Sequence, residues 1–260
     1  MAYTKVTIEF PNVIEVYEYH SAKYGAPGEK RKKKRNPTPE EIEKRNQYNR
    51  VRLARWKLRN NFDVNDRYTT LTFRKEQRPL DMKEAKTIFS KFIRKVRKEY
   101  RKRGYELKWM RNIEVTHSNN WHIHLVVNRI GEDDIIIKKC WPYAKTLDFK
   151  LLYEKGEFKD LAKYLTKTPK TDEALREADY STSRNLPVPE PKKKIYHFWK
   201  TWKKVKVPKG YYVEKDSLHE DTNDITGYKY RSYTLIRLKR QKIPECLVNA
   251  NVTRNRRKNE

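Results

Sequence analysis

The stretch Glu114-Val115-Thr116-His117-Ser118-Asn119-Asn120-Trp121-His122-Ile123-His124-Leu125-Val126-Val127 decides how the chain is read. On a strand, successive side chains point to opposite faces. Trp121, Ile123, Leu125 and Val127 then share one face, which must be the core face. His122 and His124 project together from the other, roughly 6–7 Å apart given the strand rise. Ile113 and Val115 are apolar in the preceding segment, so Glu114 falls on the polar face as well. Core must meet core across the hairpin, which demands an odd loop or a bulge. A three-residue loop over 118–120, with Asn119 or Asn120 left-handed, sets Glu114 across from His124 and Thr116 across from His122. Cross-strand neighbours lie about 5 Å apart at Cβ, so two imidazoles and a carboxylate converge. Three ligands with open positions suit a catalytic divalent metal. Mn²⁺, Mg²⁺ and Zn²⁺ are all chemically compatible with one oxygen and two nitrogens. His117 falls in the loop and is not expected to be a ligand.

Outward from this hairpin the pattern stays compact. Tyr68–Phe73 is β-branched and aromatic and reads as a strand. Asp81 caps a helix whose buried stripe is Ala85, Ile88, Phe89, Phe92, Val96 and Tyr100. Gly104 ends it. Strands follow over 106–116 and 121–128, then a short helix over 132–141, a strand over 147–153 and a helix over 157–168 stopped by Pro169. The order β-α-β-β-α-β-α predicts an α+β fold, a ferredoxin-like antiparallel sheet with helices on one face. The expected divisions are N-terminal strands, basic loop and helix over 1–60, a core over 61–170, and a C-terminal extension with hairpin and basic tail over 171–260. In the first of these, Thr38 and Glu41 form a capping box around Pro39. The run Lys30-Arg31-Lys32-Lys33-Lys34-Arg35 cannot pack and must be solvated or lie on phosphate.

The helix over 157–168 adds a second chemical feature. Phe158, Leu161, Ala162 and Leu165 fall at i, i+3, i+4 and i+7 and form its packing face. Tyr164 and Lys167 share another face. A tyrosine outside the packing face beside a lysine is a candidate nucleophile whose phenolate the cation stabilises. Tyr180 is its rival. It stands in a polar segment without apolar periodicity, where nothing fixes it on a rigid element.

Composition narrows the partners. The chain has 260 residues, with 62 Lys plus Arg against 34 Asp plus Glu, a formal charge of +28. So basic a chain points to a polyanion, most simply nucleic acid. Its 18 tyrosines supply stacking surfaces as well as core. No apolar run approaches the ~20 residues that span a bilayer, so no membrane partner is expected. No charged-then-apolar start of the secretory kind is present, and two distant cysteines build neither a disulfide scaffold nor a Cys-rich zinc site. A cytoplasmic setting is expected.

Together these pieces resemble the HUH endonucleases, in particular the rolling-circle replication initiators (Rep) of bacterial plasmids, phages and prophages. Tyr68-Thr69-Thr70-Leu71-Thr72-Phe73 resembles the family's first strand motif. His122-Ile123-His124 resembles its His-hydrophobic-His metal motif, and Tyr164-Leu165-Thr166-Lys167 its Tyr-x-x-Lys motif. Glu114 matches the acidic third ligand of several branches. Tyr180–Leu186 is similar to a segment of prophage-type initiators. Members with two nucleophilic tyrosines space them four apart, and here that position is Asp160, which implies a single-tyrosine enzyme.

The resemblance implies metal ligands Glu114, His122 and His124, a divalent ion (Mn²⁺ or Mg²⁺), and catalytic Tyr164 and Lys167. It implies nicking of single-stranded origin DNA, presented by a hairpin, through a 5′-phosphotyrosine link that frees a 3′-OH. The absence of a Gly-x-x-x-x-Gly-Lys-Ser/Thr loop implies that unwinding needs a host helicase, and extension a host polymerase. Two other readings compete: a non-catalytic nucleic-acid-binding protein on the same sheet, and a related relaxase or transposase.

Overall fold

The computed structural model describes residues 2–20, 36–152, 158–197, 201–223 and 227–243. In chain order the elements are β1 (Tyr3–Glu9), β2 (Val13–Tyr19), α1 (Pro39–Asn61), β3 (Arg67–Thr72), α2 (Met82–Lys102), β4 (Trp109–Thr116), β5 (Trp121–Val127) and α3 (Asp133–Cys140). There follow β6 (Asp148–Leu151), α4 (Lys159–Leu165), β7 (Leu175–Thr182), β8 (Lys192–Tyr196), β9 (Tyr211–Val213), β10 (His219–Thr222) and β11 (Lys229–Arg237). The chain divides into two compact units. One comprises residues 1–49 and 188–242, the other 50–187 and 243–260. The basic run at 30–35 lies outside the described residues.

The second unit holds the predicted α+β arrangement. Its five strands pair antiparallel in the order β6-β3-β5-β4-β7. The first four are the 4-1-3-2 order of a ferredoxin-like sheet. Their periodicity sorts the faces. Leu71, Ile113, Val115, Trp121, Ile123, Leu125 and Val127 meet the α2 stripe and Ile136 and Ile137 of α3 in one core. Asp81 caps α2 by accepting from the Glu84 N–H at 2.7 Å, and Gly104 turns the chain away with φ 81°. The capping box at the start of α1 is formed in both directions, Thr38 N–H to Glu41 Oε2 at 2.9 Å and Glu41 N–H to Thr38 Oγ1 at 3.3 Å.

The opposite face also takes helices, along one margin. Met110 and Val126 continue that face beyond the histidines and are apolar. Against them pack Ala54, Leu58 and Phe62 and, from α4, Phe158, Ala162 and Leu165. The predicted packing face of the tyrosine helix is therefore the one used. The helix is shorter than expected: it ends at Leu165, with Thr166 as C-cap, so Lys167 lies just past it.

The segment around Tyr180 differs from the sequence expectation. It is β7, an edge strand on β4, with Tyr180 paired to Asn112. Its regularity comes from a long-range partner rather than from its own apolar pattern.

The first unit is an antiparallel sheet in the order β10-β11-β2-β1-β8, with β9 also on β11. Its interior holds a charged pair, Arg231 Nε to Glu18 Oε2 at 2.8 Å, and the Arg231 guanidinium lies 5.5 Å from the Trp202 ring. In the C-terminal extension, where a hairpin is expected, β10 and β11 pair antiparallel with Thr222 opposite Lys229, and residues 224–226 between them lie outside the described residues.

Candidate active site

The register of β4 and β5 corrects one expectation. Glu114 pairs with His122 and Asn112 with His124. The loop is 117–119, closed by Asn119 N–H to Thr116 O at 3.0 Å, with Asn119 at φ 58°. Both registers keep core against core, and the turn chooses between them. Two rows of side chains thus cross the sheet on the polar face: Thr70, His124, Asn112 and Tyr180, then Thr72, His122, Glu114 and Ala178.

Glu114 nonetheless reaches diagonally to His124. Its Oε2 lies 3.2 Å from His124 Nε2, and both residues are buried. Its other oxygen, Oε1, accepts from Asn112 Nδ2 at 2.8 Å. The far side of the imidazole is held from β3: Tyr68 Oη is 2.9 Å and Thr70 Oγ1 3.2 Å from Nδ1. His124 is oriented from both sides, with its Nε2 edge toward the carboxylate.

α4 brings Tyr164 over the same edge. Its Oη is 3.1 Å from His124 Nε2, and the two rings meet edge-on with centroids 4.7 Å apart. Lys167 Nζ sits 4.5 Å from the centroid of the Tyr164 ring and pairs with Asp172 Oδ2 at 2.8 Å. Burial, with Tyr68 and Glu114 beside it, raises the Tyr164 pKa well above that of an ordinary phenol. The group therefore stands protonated at neutral pH.

His122 is half-buried, its ring centroid 6.1 Å from that of His124. Burial and the neighbouring His124 lower its pKa, so its imidazole is neutral with a lone pair available. The donor set of one carboxylate and two imidazoles is of the kind that divalent cations accept. His124 also carries the outer hydrogen bonds that orient ligating histidines. Among the described residues no three His, Cys, Asp or Glu side chains close on a single point. Glu114 and His124 are in contact, and His122 stands apart on the same face.

Tyr164, Lys167, Glu114 and His124 are thus brought together, and His117 stays out in the loop. Four contributors escape a reading by local pattern: Tyr68 and Thr70, which grip His124, Asn112, which grips Glu114, and Asp172, which pairs with Lys167. Period-two alternation puts Tyr68, Thr70 and Asn112 on the polar face, which was the available signal. Tyr180 lies in the floor, but its hydroxyl is buried with no hydrogen-bond partner among the described residues.

Fold and site define a class: an antiparallel ferredoxin-like domain with paired histidines on one face and a tyrosine-bearing helix laid over them. Residues 66–169 match a family model described as Replication-associated protein, of the ORF2 type. That span runs from the start of β3 past Lys167, and the match supports a replication-initiator role of the rolling-circle type. No curated protein and no solved structure matches the chain significantly. Among the described residues no helix is long and apolar enough to cross a membrane.

Proposed function

We propose that the protein initiates rolling-circle replication by nicking single-stranded origin DNA with Tyr164. The observation that carries this reading is the placement of Tyr164 Oη 3.1 Å from His124 Nε2, itself 3.2 Å from the Glu114 carboxylate. A nucleophile must be held in place on a rigid element. Tyr164 is held by a helix anchored through Phe158, Ala162 and Leu165.

In the reaction Tyr164 Oη bonds to the scissile phosphorus and the bond from phosphorus to the 3′-oxygen breaks. The product is a 5′-phosphotyrosine and, once its oxygen is protonated, a free 3′-OH. Because burial raises the Tyr164 pKa, its proton has to leave as the new bond forms. With His124 Nε2 turned to the ion-binding edge, the Tyr68 hydroxyl, hydrogen-bonded to Tyr164, is the relay for that proton, which passes by way of water to the leaving 3′-oxygen. Lys167 stabilises negative charge on the phenolate or the phosphate. A divalent ion, Mn²⁺ or Mg²⁺, held by Glu114, His122 and His124, would polarise the phosphate. The +28 charge supplies the sequence-independent grip on the backbone. Unwinding and extension fall to a host helicase and polymerase.

The test is incubation with labelled single-stranded origin DNA and Mn²⁺, followed by a denaturing gel. A covalent protein–DNA species that is absent in Tyr164→Phe is expected. No adduct from the wild type, or one that persists in Tyr164→Phe with the nucleotide on Tyr180, would refute the assignment.

A further inference from the structure

The helix on the other side of the sheet carries a charge pattern that the nicking chemistry does not use. α2 holds nine Lys and Arg against two Glu. Both acids are engaged, Glu84 with the Leu80 N–H and Glu99 with Lys102 and Arg103. Lys83, Lys86, Lys91 and Arg94 fall in one stripe at i, i+3, i+8 and i+11. All four are exposed. Lys86 pairs with Asp179 of β7, whereas Lys83, Lys91 and Arg94 have no acidic partner among the described residues. Like charges at i, i+3 and i, i+4 disfavour a helix, and α2 carries them as Lys83/Lys86, Lys91/Arg94, Lys91/Lys95 and Arg94/Lys98. The helix needs only its apolar stripe to pack, so the fold does not explain them.

These cations line an open groove of about 450 Å³ between α2 and the edge strand β7. Thr87 and Ser90 lie among them and Glu177 forms the far wall. Along α2 the stripe spans eleven residues at 1.5 Å each, about 16 Å. A duplex strand winds about 36° around its axis per phosphate, so a straight stripe of this length meets about three consecutive phosphates, one for each unpartnered cation. A straight helix offers a fixed line of charge, which suits the stiff backbone of a duplex better than a flexible single strand. The groove flanks the Ile123 and Leu125 face of the sheet, whereas Tyr164 lies over the His124 face. The phosphates held here are therefore not those being cleaved.

We propose that the α2–β7 groove binds the backbone of duplex DNA flanking the nick site, through Lys83, Lys91 and Arg94. The proposal rests on DNA being the substrate, and it is tested apart from nicking. The full-length protein and the triple variants Lys83→Gln/Lys91→Gln/Arg94→Gln and Lys83→Glu/Lys91→Glu/Arg94→Glu are titrated with a short blunt duplex at several salt concentrations. In parallel, adduct formation is measured on a single-stranded oligonucleotide that carries only the nick site.

Each lost phosphate contact flattens the log–log salt slope by about 0.9, so the Gln variant should lose between two and three units of slope and at least tenfold in duplex affinity. The Glu variant should lose more, and adduct formation should be unchanged in both. Duplex binding with unaltered slope and affinity in both variants would overturn the proposal. Failure of the wild type to form any adduct would count against the nicking reading alone.

Discussion

Two tyrosines in the same unit should respond to loss of the hydroxyl with opposite signs. Tyr180 buries its hydroxyl without a partner among the described residues, and burial drives its pKa well above the ordinary phenol value. A buried polar group without a hydrogen bond costs about 1–3 kcal/mol. Tyr180→Phe removes that cost and leaves the ring against the Met110 and Leu165 cluster, so it should stabilise by about 1 kcal/mol, or about 3 °C in Tm for a unit of this size. Tyr100 is the internal control. Its ring is fully buried and its hydroxyl donates to Asn128 O at 2.8 Å. Tyr100→Phe strands that carbonyl and should destabilise by about 1–2 kcal/mol. Urea unfolding of the wild type and both variants, followed by the adduct assay on Tyr180→Phe, is the measurement. Destabilisation of Tyr180→Phe by as much as Tyr100→Phe would show that the Tyr180 hydroxyl is bonded. Loss of the adduct would show that it takes part in the chemistry.

His124→Ala should abolish adduct formation and cost about 2–4 kcal/mol, because it strands the Glu114 carboxylate and the Tyr68 and Thr70 hydroxyls. His122→Ala, at a half-buried position, should abolish nicking with a smaller stability cost. Wild-type nicking by the double variant would refute the metal assignment. Burial raises the Asp66 pKa to about 6, although its carboxylate accepts from the Arg129 and Asp63 N–H groups at 2.8 Å. The folded state then holds a proton that the unfolded chain has released, so this contribution is complete below pH ~4 and is lost as pH rises to ~6, by at most about 3 kcal/mol. Asp66→Asn should flatten the stability–pH curve in that window, and an unchanged curve would refute the burial argument. Arg231→Ala leaves the buried Glu18 carboxylate with only Lys5 Nζ beside it, 3.7 Å from Oε1, and should destabilise the first unit by up to about 3 kcal/mol. An unchanged urea midpoint would mean that the pair is dispensable.

Alternation and periodicity settled a great deal from the chain alone. Trp121, Ile123, Leu125 and Val127 against His122 and His124 determine which face is core and which presents the histidines, because a strand admits no other sorting. The α2 stripe, the Asp81 and Thr38 caps, and the Phe158–Leu165 packing face followed in the same way, since each depends on residues within a few positions of one another.

Tertiary structure decided what parity leaves open. Registers that set Glu114 across from His124 or from His122 both keep apolar against apolar, and the choice fell to a left-handed Asn119 and a loop at 117–119. The grip of Tyr68 and Thr70 on His124 needs β3 beside β5, a pairing between residues more than fifty positions apart. β7 became a strand only because β4 offered it a ladder. Tyr164 came to His124 because Met110 and Val126 give α4 an apolar seat at the margin of a polar face. Local patterns specify faces and elements, whereas contacts between distant segments are set by how those faces pack together.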